Sequence, residues 1–588
     1  MSTPVHQAAG EPATSSAPPP DRHPLVVWAW SLLRLRFTGV AVGALFFCLS
    51  LTPSLLPRSW LFQGLISGIN AAIGYGLGVL VGKAVDRLVL RNVGWWPPSP
   101  RITLSLKITV VVLAPTACVL MLIPAAAWQR QVSALMGIDG PATRSYLRTL
   151  ILSVVVAALL VSTSRVIIDA IRLLARALIR RWHLNDEVAL FLGTTIVVAL
   201  LIALFNGVLV RGFFAGANAI FQPRNDTTSA GVSAPLLPEK SGSPASLAPW
   251  DSLGLQGRNF VATGPHAADL TRLNGRPARE PIRIYAGLET ADSDEDRVQV
   301  LVGELERTHA VDRKLLVIVP TTGTGWVDPA MASSVEMMYN GDTAIVSVQY
   351  SFLPSWISFL ADRQKSKDSG RLLVDTIQQH WQQWPVDHRP KLVLCGESLG
   401  SMAGQSAFGY LPDVAGMGFS AVLWEGPPQE SPLWHALVAR RDPGTPEVDP
   451  RYDNGRTVRF SQANRPADID AVAARPWDGT RVLFLQHASD PVVWWSPDLL
   501  FSRPDWLVEP PGRDRTAAMD WFPVVTFWQV SADLTEAQGM PAGHGHNYGD
   551  MALDGWAAVS PPEGWTPADT ERTRAALNQF HAAAGPLS

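Results

Sequence analysis

The sequence predicts a chain in two parts: an N-terminal α-helical transmembrane bundle of about five spans, then a doubly wound, mostly parallel α/β sheet domain. Three observations predict it. Hydrophobic residues make up 47% of the 588 positions and charged residues only 17%, against roughly a quarter charged in soluble domains. The apolar excess is concentrated before residue 215, in runs of about 20 residues, enough to cross a hydrocarbon core roughly 30 Å thick. After residue 250, short β-type runs alternate with helical patterns, as a parallel sheet with crossover helices requires.

Taken in order, residues 1–24 are rich in Ala, Pro, Ser and Thr and are predicted to be a disordered tail. Residues 25–215 form the predicted membrane domain. Its first span, 37–56, reads FTGVAVGALFFCLSLTPSLL without a charge. Its late start and the apolar runs behind it favour a retained span over a cleaved signal peptide. Further spans are expected at 61–82, 103–127, 147–168 and 189–210. In the second, Gly74, Gly78 and Gly82 stand at four-residue spacing, with Gly64 and Gly68 before them, a stripe without side-chain bulk that lets another helix approach. No span carries the Asp, Glu and Lys relay of a proton-coupled transporter. The segment 167–181, IIDAIRLLARALIRR, places Arg at helical spacing and suits a helix lying along headgroups.

Lys and Arg in the loops orient the bundle. Eleven lie on one side, among them Arg22, Arg34, Arg36, Arg91 and Arg101, and four on the other, Arg58, Arg130, Arg144 and Arg148. The N-terminus is therefore predicted cytoplasmic, and an odd number of spans places the following domain outside the cytoplasm.

Residues 216–250 read as a linker, Ser, Pro and Ala rich from 222 onward, and 251–588 as the sheet domain. Near-continuous apolar strands are predicted at 281–287, 314–320, 343–350, 391–396, 419–426, 481–488 and 523–530, the pattern of a sheet buried on both faces. Helical patterns at 293–308 and 369–384 lie between them. The polar, Pro-rich stretch 427–480 reads as an insert over the site, a lid.

A net charge of -3 leaves no global positive field to gather nucleic acid. Three cysteines, Cys48, Cys118 and Cys395, are too few and too distant for a disulfide framework or a thiolate metal site. No cofactor and no metal is expected; the Gly-rich loop at 320–329 lacks the following G-K-[ST] of a phosphate loop.

The chemistry enters at GESLG, where Gly396, Ser398 and Gly400 match G-x-S-x-G. The pattern alone is weak, but it follows the apolar strand KLVLC and precedes the helical SMAGQSAFGYL, the strand-turn-helix of a nucleophile elbow. A serine that merely caps the helix is the competing reading. A serine hydroxyl needs a base, and the base an orienting acid, in chain order Ser, Asp or Glu, His. Asp490 lies just after the strand RVLFLQH, at a carboxyl end where open α/β sheets assemble sites, with Asp505 and Asp520 as rivals. PAGHGHNYGD supplies His544 and His546. His544 is favoured as the base, with His546 the alternative; an H-x-H metal pair with Asp550 is the weaker idea. The oxyanion hole is expected from the backbone N–H of Leu399 and a second donor at Thr321 or Thr322 in PTTGTGWVDP.

With WDSLGLQGRNFV (250–261), PTTGTGWVDP, QYSFLPSW (349–356), RPKLVLCGESLGS, DPVVWW and AGHGH, preceded by SLLPRSW and apolar spans, the chain resembles the actinobacterial membrane-anchored α/β-hydrolase family over roughly 37–565. The resemblance implies an α/β-hydrolase domain after residue 250, an accompanying membrane region in a bacterial cell membrane, and a triad of Ser398, Asp490 and a histidine of AGHGH. It implies a reaction class without a substrate. The chain departs from common lipases in lacking an HG-type oxyanion motif, the place of which is taken by the loop of Thr321 and Thr322.

Tryptophans near the site loops, Trp326, Trp356, Trp424, Trp494 and Trp495, together with the membrane tether, favour an acyl chain as substrate, although such residues also pack cores. The expected function is hydrolysis of lipid or envelope acyl esters through an acyl-serine. Acyl transfer by the same residues and a non-catalytic membrane scaffold are the alternatives. The partners expected are the bilayer and the ester substrate; oligomeric state is not legible.

Overall fold

The computed structural model describes residues 35–88, 100–140, 145–361 and 363–584. The expected tail 1–24 and Arg22, Arg34, Arg91 and Arg144 of the charge comparison lie outside the described residues.

The N-terminal part comprises α1 (Phe37–Ser50), α2 (Trp60–Leu88), α3 (Pro100–Leu135), α4 (Ser145–Trp182), α5 (Asp186–Leu204) and α6 (Arg211–Asn225), the last two joined by a π-helical turn at Phe205–Val210. Four stretches among the described residues are long and apolar enough to cross a bilayer, within Trp60–Leu88, Ser105–Leu135, Ser145–Trp182 and Asp186–Asn225. The count is thus four where five were expected. At about 1.5 Å per residue, the 14 residues of α1 reach only about 21 Å. The apolar run does not stop there: Leu51 to Leu56 leave the helix, and Leu55 and Leu56 are fully buried against the sheet domain. A continuous apolar run cannot distinguish a lipid-facing span from a segment buried in protein. The odd span count behind the predicted orientation falls with it. The segment 167–181 is the continuation of α4 rather than a separate surface helix.

The glycine stripe of α2 faces two neighbours. A Cβ on Gly74 would press on Phe46, one on Gly78 would run into the Thr38 carbonyl, and Gly82 meets the Thr38 side chain. Nearer the start of α2, Gly64 and Gly68 receive Leu152 and Val156 of α4. The missing side chains let α1 and α4 lie directly on the α2 backbone.

The second part is built on seven parallel strands in the order β1-β3-β2-β4-β5-β7-β6. They are β1 (Ile282–Ala286), β2 (Leu315–Pro320), β3 (Thr343–Val348), β4 (Lys391–Glu397), β5 (Phe419–Glu425), β6 (Val458–Ser461) and β7 (Arg481–Leu485). Alternate residues enter opposite cores, as a period of two requires. Leu316, Ile318, Val346 and Leu394 join one core, Val317, Ile345, Val393 and Leu423 the other. Leu55, Leu56, Val132 and Met136 from the membrane part belong to the first of these. Burying Leu55 and Leu56 contributes about 1.5–3 kcal/mol each, so the two parts share one core.

Two strand assignments differ from expectation. The run at 523–530 is helical, forming α8 (Val525–Asp533), after α7 (Leu399–Gln405) in chain order. Its buried residues, Val525, Thr526, Gln529, Val530 and Asp533, recur with helical spacing, which polar Thr, Gln and Asp concealed in an apolar-run reading. The seventh strand comes instead from within 427–480, where β6 pairs with β7 at the sheet edge. Four residues with an arginine at the second position make a poor strand signal. The Arg459 guanidinium is nonetheless accommodated by the carbonyls of Gly455, Val472, Arg475 and Pro476 and by the Trp477 ring.

Chain order and strand order together place the reversal of winding between β2 and β4. From β2 the chain moves to β3 on one side, and from β4 to β5 on the other. The loops leaving β2 and β4 therefore open a crevice at the strands' carboxyl ends, and those loops hold Thr321 and Ser398.

Candidate active site

Ser398 sits between β4 and α7 with φ 53° and ψ -124°. That backbone is costly for a residue with a Cβ and is held only by its surroundings. Ser398 donates its N–H to the Glu425 carbonyl at 2.9 Å. A Cβ on Gly396 would lie 2.7 Å from the Gly400 carbonyl carbon, and one on Gly400 would strike the Pro320 carbonyl. The two glycines of the motif thus allow the elbow to close on itself and on the β2 loop.

Asp490 follows β7 and is wholly buried. Its Oδ1 accepts from Val492 N at 2.8 Å, capping the short helix Pro491–Trp494. Its Oδ2 stands 2.7 Å from His546 Nδ1 and accepts from the Tyr548 hydroxyl at 2.9 Å. The other imidazole nitrogen, His546 Nε2, is buried without a hydrogen-bond partner. The ring lies against Gly426, where a Cβ would be 2.5 Å from its Cε1. Gly426 is the residue after Glu425, which holds the Ser398 N–H, so the imidazole rests beside the elbow.

The histidine paired with Asp490 is therefore His546, where the sequence favoured His544. His544 Nδ1 stands 3.1 Å from Asp514 Oδ2 instead. Asp514 also accepts from Ser489 Oγ at 2.5 Å and from Ser489 N at 3.1 Å, while Gly545 N donates to Ser489 Oγ at 2.8 Å. Burial alone would raise the Asp514 pKa, but hydrogen bonds from His544 and Ser489 and the nearby His487 hold it below the usual carboxylate range. This second pair ties the loop carrying Asp490 to the loop carrying His546. A glycine at positive φ precedes each histidine, Gly543 before His544 and Gly545 before His546, so the local pattern did not separate the two. The remaining carboxylates are engaged elsewhere: Asp505 with Arg441, Asp520 with Arg503, and Asp550 with Arg574.

Sequence reasoning missed Tyr548. Its ring stacks on His487 at 4.1 Å between centroids, and its hydroxyl touches Asp490. Burial, then the charge of Asp490, pushes its pKa well above the ordinary tyrosine range, so it stays a donor. The only available signal was its place in HNY, two residues after His546.

Of the two oxyanion candidates, Thr322 uses its backbone N–H inside its own turn, donating to Trp326 O at 3.2 Å. Thr321 directs its hydroxyl to Val348 O at 2.8 Å, and its carbonyl carbon would lie 3.4 Å from a Cβ on Gly400, beside Leu399. The loop is braced from the membrane part. Gln349 Nε2 donates to Thr324 O at 3.1 Å and to the Asn225 side chain, the last residue of α6, at 2.9 Å.

Beneath the elbow lies a set of buried carboxyls. Glu397 and Glu425 are pushed well above the usual carboxylate range, first by burial and then by neighbouring acids including Asp328. Neither oxygen of Glu425 has a hydrogen-bond partner. Asp328 is raised to about 6 by burial.

The tryptophans divide. Trp424, Trp494 and Trp495 are buried in the core, so they pack rather than line a site. Trp356 is 51% exposed and lies 6.5 Å from Phe213 of α6.

Two family models match the chain. One, described as an alpha/beta-hydrolase family, matches residues 282–573, and one described as the N-terminus of an alpha/beta-hydrolase family matches 51–265. No curated protein and no solved structure matches it.

Proposed function

Because the chain belongs to the alpha/beta-hydrolase family in both its parts, we propose that it is a membrane-anchored serine hydrolase of acyl esters, working through an acyl-Ser398 intermediate. One observation carries the reading: an Asp490–His546 pair at 2.7 Å whose free Nε2 is buried beside a serine at φ 53°. In this reading Ser398 Oγ attacks the acyl carbonyl while His546 Nε2 takes its proton. Asp490 fixes the tautomer that leaves Nε2 free and stabilises the imidazolium. The N–H groups of Leu399 and Thr321 receive the oxyanion. The tetrahedral intermediate collapses, the alcohol leaves with the proton from His546, and acyl-Ser398 remains. Water, deprotonated by the same nitrogen, then releases the acid and restores the serine.

Position supports the substrate class. Exposed Trp356 and Phe213 stand where the last membrane helix reaches the oxyanion loop, which suits lipid or envelope esters presented at the bilayer. The test is labelling of membranes with a fluorophosphonate probe, which reacts with activated serines. Labelling is expected in wild type and lost in Ser398→Ala and His546→Ala while His544→Ala still labels. Equal labelling of Ser398→Ala would sink the reading.

A further inference from the structure

The motif SLLPR, which lies between the first two apolar helices, takes no part in the chemistry above, yet it is buried where a membrane-loop segment has no need to be. Ser54 Oγ donates to Asp533 Oδ2 at 2.5 Å, Leu55 N donates to the same oxygen at 3.1 Å, and Arg58 Nε donates to Oδ1 at 2.8 Å. The Arg58 and Asp533 side chains are 1% and 0% exposed. One turn earlier on α8, Gln529 Nε2 reaches Thr52 O at 3.0 Å and Ser50 O at 3.2 Å. One face of α8 is thereby fastened to the membrane part by a buried ion pair and by backbone bonds.

Its other attachments lead to the proposed triad. Ser531 Oγ accepts from Trp495 Nε1 at 2.7 Å, and Val524 N donates to Leu500 O at 2.9 Å, both in the chain that follows Asp490. Val524, a β-branched residue, enters the helix at φ 68°, a conformation that persists only where surroundings impose it. Four residues beyond Asp533, the Ala537 carbonyl accepts the His546 N–H at 2.9 Å. That oxygen also lies 2.7 Å from a Cβ built on Gly545, so the histidine loop is laid directly on this turn.

We propose that the Ser54–Arg58 segment is a positioning element of the active site: through Asp533 and α8 it sets the His546 loop, so the membrane part completes the catalytic geometry as well as anchoring it. The proposal rests on the triad reading above. Arg58 and Ser54 touch neither substrate nor reacting atoms. Their effect is on where Nε2 stands relative to Ser398, and small displacements of a base cost rate steeply.

The test uses the full-length protein in nanodiscs, comparing wild type, Ser54→Ala, Arg58→Lys, Asp533→Asn and, as a control, Arg503→Ala, whose ion pair with Asp520 is exposed. Two quantities are read: the rate constant and end point of fluorophosphonate labelling, and amide hydrogen exchange of residues 541–549. The expected result is labelling at least tenfold slower in Asp533→Asn and Ser54→Ala, an end point still equal to the folded fraction, and faster exchange of 541–549. Arg58→Lys, which keeps the charge, should fall between these and wild type, and Arg503→Ala should match wild type. A wild-type rate constant with only the end point reduced would show mere destabilisation and overturn the positioning role. Wild type that fails to label, with 541–549 exchange still responding to Asp533→Asn, would overturn the triad reading and uphold the mechanical link. Exchange unchanged in every variant would overturn the link itself.

Discussion

His544 and His546 stand two residues apart in one loop, each with Nδ1 against an aspartate, yet they occupy opposite situations. The His546 side chain is 2% exposed, its acid lies in the loop that follows β7, and its outward nitrogen is buried and unpartnered beside the elbow. The His544 side chain is 21% exposed, and its acid, Asp514, is shared with Ser489, a residue that braces the loops. The difference teaches that a histidine–aspartate distance alone does not identify a base. What identifies it is a second nitrogen kept free, dry and near a nucleophile.

The contrast makes its largest prediction at the two histidines. His546→Ala should lower ester turnover about 10⁴-fold or more, while His544→Ala should cost less than about tenfold, equivalent to one lost hydrogen bond. Steady-state kinetics on a soluble p-nitrophenyl ester would check this, and a reversal of the two effects would break the comparison. The acids should follow their histidines. Asp490→Asn is expected to cost about 10⁴-fold by favouring the wrong tautomer, whereas Asp514→Asn should mainly lower the melting temperature.

Tyr548→Phe sharpens the comparison further. Losing a hydrogen bond to a charged acceptor costs about 1.5 kcal/mol, or about tenfold in turnover. An unchanged rate would mean that Asp490 needs no third donor. The smallest effect concerns the acids below the elbow. A carboxyl whose folded pKa is raised stays protonated in the folded state and ionises in the unfolded one, so stability falls as pH rises above the ordinary carboxylate pKa. Glu425→Gln should therefore flatten the fall of stability with pH above the ordinary carboxylate range, read from melting temperatures measured from acid to neutral pH. Wild type and variant should converge at low pH.

Local patterns made much of this legible. Six of the seven expected strands are found, because near-continuous apolar runs in a chain this rich in turn residues have few other uses. GESLG pointed to an elbow because its glycines and its position between strand and helix are both local features. The α2 glycine stripe announced close helix packing for the same reason. Where the reading failed, two environments present the same composition. The uncharged segment 51–56 suits lipid or a protein interior, and only the docking of Leu55 and Leu56 on the sheet domain separates these. The 523–530 run suits a strand or a helix, and its buried Gln529 and Asp533 acquire their partners from residues more than 470 positions away.

The sequence by itself determined the division into membrane and sheet parts, the elbow, and the candidate members of the site, since each is written in the order of neighbouring residues. Tertiary structure alone decided which histidine meets Asp490, that Tyr548 joins it, that β6 completes the sheet edge, and that SLLPR closes on Asp533. The physical reason is the same throughout. A side chain's role is set by what buries it and what accepts or donates its proton, and those partners come from distant segments brought together only when the chain folds.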